Sequence, residues 1–278
     1  EAAQVSLANI VAMGTSARNL VLVGDQMQLG QPIKGAHPGE SGMSVLEYAL
    51  RDQATVPPEL GIFLPTSRRM HPDVCGFISA AFYDGRLESA AGNENQRLVL
   101  GKSAHAVLKA TGLSFVEMNH TGCAQRSDEE AAKIKEIVSS LLSQQWIDRD
   151  GKERGLSLDD VLVVTPYNMQ VATLEAALPA GARIGTVDKF QGQEAPVVIV
   201  SMTTSSAEEM PRDHEFLFSR NRLNVGISRA QALAVIIANG RLLEVPCRTI
   251  EQVKLVNALC WARDYAGKQP AKAIAAAA

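Results

Sequence analysis

Aromatic side chains make up only 5% of the 278 residues, so the chain advertises no platform of many rings for stacked bases. Cysteine is scarce as well. Cys75, Cys123, Cys247 and Cys260 lie far apart with no C-x-x-C pair. That spacing frames neither a disulfide scaffold nor a zinc site, and suits ordinary buried thiols in a reducing, cytoplasmic compartment. No run of about 18 apolar residues occurs, which excludes a membrane-spanning helix, and no secretory leader pattern is seen. Neither charge sign dominates. The formal net charge of −3 argues against a histone-like binder of polyanions, yet leaves room for a local basic groove. A phosphate-cradling loop is also missing. Gly101-Lys102-Ser103 supplies the last three residues of G-x-x-x-x-G-K-[ST], but Gln96 stands where the first glycine belongs and no buried strand leads in.

What the chain does have is a large apolar fraction, 46%, enough for a sizeable core in one or two domains. Short apolar runs recur at Asn19–Val23, Ser114–Glu117, Val161–Val164, Arg183–Val187, Val197–Val200 and Ala234–Ala238. Runs without polar alternation predict strands buried on both faces. Helical patterns lie between them: Ser44–Leu50, Asp73–Phe82, Ser127 to about Gln144, Gln170–Ala177, the Ser219–Ala230 segment and Glu251–Arg263. The series predicts an α/β fold with a mostly parallel sheet and helices on both faces. Ser127-Asp128-Glu129-Glu130 predicts a capping box. Trp146–Gly155 reads as a charged connection. Val56-Pro57-Pro58 interrupts regular structure and predicts a domain boundary between residues 54 and 60. The chain opens on Glu rather than Met, so a longer parent protein is expected, and the alanine-rich residues 271–278 predict a disordered tail.

The chemistry concentrates at strand ends, where α/β proteins bind ligands. Between Ile184 and Met202, two apolar pieces flank Asp188, Lys189, Gln191, Gly192, Gln193 and Glu194. Gly192 lets a backbone N–H approach a phosphate, and Glu194 can accept from ribose hydroxyls. Asn19–Val23 runs into Gly24-Asp25-Gln26-Met27-Gln28-Leu29, where Asp25 can hold the loop through its backbone. Thr66-Ser67-Arg68-Arg69-Met70-His71-Pro72 and Ser219–Ala230 carry arginines, whose planar forks suit phosphate oxygens. Arg222 and Arg229, seven apart, are expected to share a helix face. Thr165-Pro166-Tyr167 ends an apolar strand; its ring is equally suited to contacting a nucleic-acid backbone and to core packing.

In this order the stretches resemble the motifs of superfamily 1 helicases: D-E-x-x-Q at Glu1–Gln4, G-D-x-x-Q-L at Gly24–Leu29, Q-Y-R-M-H-P near Arg69, T-P-Y at Thr165–Tyr167, V-D-x-F-Q-G-x-E at Val187–Glu194, and R-x-N-V-A-x-T-R-A at Arg222–Ala230. The resemblance is to the 1B (Upf-like) branch, which holds the nonsense-mediated-decay and Okazaki-fragment helicases. It implies a RecA-like P-loop NTPase fold, with residues 1–57 as the end of a truncated first RecA-like domain and residues 58–270 as a complete second one. It also implies ATP-driven movement on single-stranded DNA or RNA. Glu1 would be the general base and Gln28 the γ-phosphate sensor, with Arg69 and Arg229 as fingers on the transferring phosphate. Gln4, Asp25, Arg68, Gly192 and Glu194 would bind nucleotide, Arg68 replacing an adenine-stacking aromatic. Thr165, Pro166, Tyr167 and Thr186 would meet nucleic acid. Mg2+ would be held mostly by residues upstream of Glu1. A nuclease–helicase fusion and a hydrolysis-dead nucleic-acid-binding module are the competing expectations.

Overall fold

The computed structural model describes residues 1–31, 35, 37–51, 53–211 and 214–268. The expected tail at 271–278 lies outside them. The chain opens with a single 3-10 turn over Ala2–Gln4, then α1 (Leu7–Gly14) and α2 (Val45–Leu50). Ser44 closes a full capping box on α2, accepting from Glu47 N–H while the Glu47 carboxylate takes its own N–H. Then follow β1 (Thr66–Ser67), α3 (Pro72–Phe82), β2 (Glu88–Ser89), β3 (Arg97–Val99), β4 (Gly112–Met118), α4 (Asp128–Leu141), β5 (Gln145–Ile147), β6 (Glu153–Gly155), β7 (Val161–Val164), α5 (Asn168–Ala177), β8 (Arg183–Gly185), β9 (Ala195–Ser201), α6 (His214–Leu217), α7 (Arg220–Ser228), β10 (Ala230–Asn239) and α8 (Ile250–Lys268).

Five strands form one all-parallel sheet in the order β4-β10-β9-β7-β8. Every residue of β7 and β9 is buried, which is why these runs read as apolar throughout rather than alternating. Successive side chains still point to opposite faces. Val198 and Val200 enter a core shared with α3, α7 and α8, whereas Val197 and Ile199 enter a second core under α4 and α5. The expected α/β sheet with helices on both faces is therefore what forms.

Two expectations fail. Asn19–Val23 is not a buried strand: among the described residues it pairs with no other strand, and Val21 and Val23 are 87% and 70% exposed. The run has strand composition, but a ladder needs a neighbour, and here Val23 C=O meets only the N–H groups of Glu1 and Ala2. Trp146–Gly155 is not a plain connection but a hairpin. β5 pairs antiparallel with β3 and with β6, forming a small separate sheet. Its outer strand, β6, is wholly exposed, so the apolar signal is confined to Trp146, which is buried with Leu98 in the second core.

Candidate active site

The site begins at the loop after residue 23. A Cβ on Gly24 would lie 2.7 Å from Ala2 N and 3.1 Å from Ala3 N, so only glycine lets the Ala2–Gln4 turn rest on the loop. Asp25 organises it as expected. One carboxylate oxygen accepts from Met27 N–H at 3.0 Å, the other from Gln28 Nε2 at 2.9 Å. That second oxygen also accepts from Tyr83 Oη at 2.7 Å, across the expected domain boundary.

Helix α7 lies against this loop. Ser219 caps it by accepting from Arg222 N–H. Asn221 Nδ2 donates to the carbonyls of Gln26 and Gln28, and Asn224 Nδ2 donates to Met27 C=O at 2.7 Å. Arg229 caps the far end of the helix and is only 3% exposed. Its Nη2 donates to Gln28 Oε1 at 3.3 Å and its Nε to Val225 C=O at 3.3 Å. Burial, with the charge of Arg69 nearby, pushes the Arg229 guanidinium down to about 10, which still leaves it cationic at neutral pH.

Arg69 leaves the turn between β1 and α3. Gln96 holds its carbonyl at 2.7 Å, and the side chain crosses to the sheet's far motifs. Its Nε donates to Glu194 Oε2 at 2.7 Å and its Nη1 to Ser228 C=O at 3.0 Å, the residue before Arg229. The two arginines therefore converge on one place. Glu194, expected to face sugar hydroxyls, is instead paired with Arg69 and accepts from Gln231 Nε2 at 2.8 Å.

The Gly192 turn lies next to these groups in the chain, two residues before Glu194. Gly192 has φ +79° and stands exposed, a left-handed conformation that favours glycine. Beside it, Gln191 Oε1 accepts from Gln4 Nε2 at 3.0 Å. Glu1 is exposed, and its charge is felt by Arg229. Glu1, Gln4 and Gln28 thus lie on one side, and Arg69, Gln191, Glu194 and Arg229 on the other. Arg68 is exposed with no hydrogen-bond partner among the described residues. No group of three or more His, Cys, Asp or Glu side chains among the described residues could hold a metal.

Arg222 does not join Arg229. Its guanidinium lies 4.1 Å over the Phe216 ring and donates to Phe216 C=O, because α6 offers both a ring face and a carbonyl on that side. At the end of β7, Thr165 is fully buried and shares a 3.1 Å hydrogen bond with Thr203. Tyr167 is 5% exposed, its ring 5.6 Å from Phe216 and its hydroxyl accepting from Thr204, so of the two roles open to that ring it fills the packing one. Pro166 and Thr186 are half-buried at the surface. Two residues of the site had no signal of their own: Tyr83 marked only a helix end, and Asn221 was an ordinary helix polar position.

The AAA domain family matches residues 42–241. The Drosophila melanogaster "Regulator of nonsense transcripts 1 homolog" is 27% identical over 251 residues, covering 84% of this chain and 20% of that protein. The Schizosaccharomyces pombe "DNA polymerase alpha-associated DNA helicase A" is 27% identical over 235 residues, covering 81% and 34%. The Arabidopsis thaliana "DNA replication ATP-dependent helicase/nuclease JHS1" is 26% identical over 259 residues, covering 87% and 19%. The chain thus spans between 19% and 34% of the length of these three relatives. No helix among the described residues is long and apolar enough to cross a membrane. With a five-stranded parallel sheet, the converging arginines and a family match over most of its length, this chain belongs to the AAA domain family and is a helicase domain of the superfamily 1B kind.

Proposed function

We propose that this chain is the later part of an ATP-driven motor on single-stranded DNA or RNA, with residues 1–57 ending the first RecA-like domain and 58–270 forming the second. The observation that carries this is the convergence of Arg69 and Arg229 beside Gln28, Glu1 and the Gly192 turn. Two guanidinium groups held this close repel one another, and a polyanion between them relieves that repulsion. Among the described residues the Arg229 side chain makes two hydrogen bonds, both at 3.3 Å, so little has to be given up when a phosphate oxygen replaces them. Arg69 is held ready by Glu194, which supplies its counter-charge until the nucleotide does.

In this reading the fingers stabilise charge building on the phosphoryl oxygens during transfer. Glu1 orients the attacking water, and Gln28 links the occupied site to the rest of the loop. Mg2+ neutralises phosphate charge when bound. Its protein ligands would lie mostly upstream of Glu1. Thr186 and the start of α5, whose first N–H groups lack a side-chain cap, offer uncharged phosphate contacts at the strand ends, with the Pro166 ring suited to a sugar. Such contacts position a strand without reading its sequence.

Two outcomes test the reading. The 278-residue chain alone is expected to show no steady ATP turnover, because it has no glycine-rich phosphate loop; turnover lost on Arg229→Ala would count against the proposal. In the complete protein, Arg69→Ala is expected to lower kcat at least 10²-fold while single-strand affinity stays within a few-fold. Equal losses of both would remove Arg69 from the finger role. A second reading, that the motor sits beside a nuclease, is favoured by the relative whose name joins the two activities. Strand cleavage by the complete protein that survives Arg229→Ala would establish it.

A further inference from the structure

Tyr83 ends α3 and belongs to none of the motifs that build the cleft. It is 8% exposed, with its ring 6.4 Å from Phe63 and its hydroxyl turned away from the core towards the loop 25–28. That hydroxyl is used in both directions. It donates to Asp25 Oδ2 at 2.7 Å and accepts from Asn224 Nδ2 at 2.9 Å.

These bonds close a ring. Asn224 donates to Tyr83, which donates to Asp25. Asp25 also accepts from Gln28, and Gln28 accepts from Arg229. Arg229 and Asn224 sit on the same helix, so the circuit returns to its start. The orientation of the Asn224 amide is fixed by two acceptors, Met27 C=O and the Tyr83 hydroxyl, while its own Oδ1 is buried without a partner among the described residues. Burial, with the Asp25 carboxylate beside it, raises the Tyr83 hydroxyl further above its ordinary range, so it remains a neutral donor. Gln28 is thereby held at both ends of its amide, one end by Asp25 and the other by the finger.

We propose that Tyr83 is a positioning residue for ATP hydrolysis: it ties the loop 25–28 to helix α7 and so fixes Gln28 relative to Arg229. The inference rests on the motor reading above. Tyr83 touches no substrate in this scheme. Its effect is exerted through Asp25 and Asn224, and phenylalanine, which keeps the ring and loses both hydrogen bonds, removes that effect alone.

The test uses the complete protein and saturating single-stranded nucleic acid. Tyr83→Phe is expected to lower kcat about 10-fold, with KM for ATP and strand affinity within twofold of wild type and the thermal midpoint nearly unmoved. A purely structural role would move the midpoint, KM and kcat together, and that pattern would overturn the proposal. So would unchanged kcat. Asn224→Ala breaks the same ring from the other side, and the double variant is expected to be no slower than the slower single one; additive losses would also refute the coupling. Arg229→Ala separates this inference from the reading beneath it. If that variant turns over within tenfold of wild type, the finger role of Arg229, on which the inference rests, falls. If it is dead while Tyr83→Phe runs at wild-type speed, only the role of Tyr83 falls.

Discussion

Replacing Arg229 by alanine in the complete protein is expected to lower ATP turnover by about 10³-fold or more, the usual cost of losing a finger on a transferring phosphate. Single-strand binding should stay within a few-fold of wild type, because the side chain is buried beside Gln28 and not at the strand-end surface near Pro166 and Thr186. The loss should not come from unfolding. Arg229 makes two hydrogen bonds at 3.3 Å and stands against the like charge of Arg69, so its removal also removes a repulsion. Arg229→Lys should recover little. A lysine keeps the charge but not the planar fork, and burial disfavours the charged ammonium. Steady-state hydrolysis and fluorescence anisotropy with a labelled oligonucleotide measure the two effects. Turnover within tenfold of wild type would show that Arg229 is not a finger.

A second large effect is expected away from the cleft. Glu130 is fully buried on α4, and its carboxylate holds the exit of β9. It accepts from Ser201 Oγ at 2.5 Å and from Thr203 N–H at 3.0 Å, and faces His120 Nε2 at 3.2 Å. His120 in turn shares 2.7 Å with Ser205 Oγ. These bonds hold Thr203 at φ +70°, a conformation that a β-branched residue rarely adopts. Glu130→Ala leaves a buried imidazole, a hydroxyl and an N–H without their acceptor. The expected loss is about 3–5 kcal/mol, or a thermal midpoint lower by about 10 °C. Differential scanning calorimetry of wild type and variant would read it. A shift under about 2 °C would mean that water or a neighbouring group replaces the carboxylate. Because Thr203 hydrogen-bonds Thr165 and Thr204 hydrogen-bonds Tyr167, the two buried residues that flank Pro166, the same variant should also weaken single-strand binding.

Glu130 also shows why local patterns mislead. Its spacing from Ser127 predicts a carboxylate folded back on the Ser127 N–H. Half of the box forms, since Ser127 Oγ accepts from Glu130 N–H at 3.1 Å. The other half is taken over by Gln170, whose Oε1 accepts the Ser127 N–H at 2.7 Å, and Glu130 is left to serve the sheet. Nothing within four residues of Ser127 could announce a glutamine 43 positions away.

From composition alone came the strands of the parallel sheet and the helices between them, because a segment buried on both faces must be apolar throughout wherever it sits. The family motifs were equally legible, since each is a short run whose spacing survives without its neighbours. Asn19–Val23 is as apolar as the middle of β9 and yet lies exposed, because a segment's burial depends on neighbours that its own residues do not encode. The meeting of Arg229 with Gln28, 201 positions apart, the pairing of Arg69 with Glu194, and the bridge that Tyr83 makes between Asp25 and Asn224 exist only once the sheet has brought those loops together. Hydrophobic pattern reports what each segment must bury; which polar groups then meet is set by how the buried segments stack.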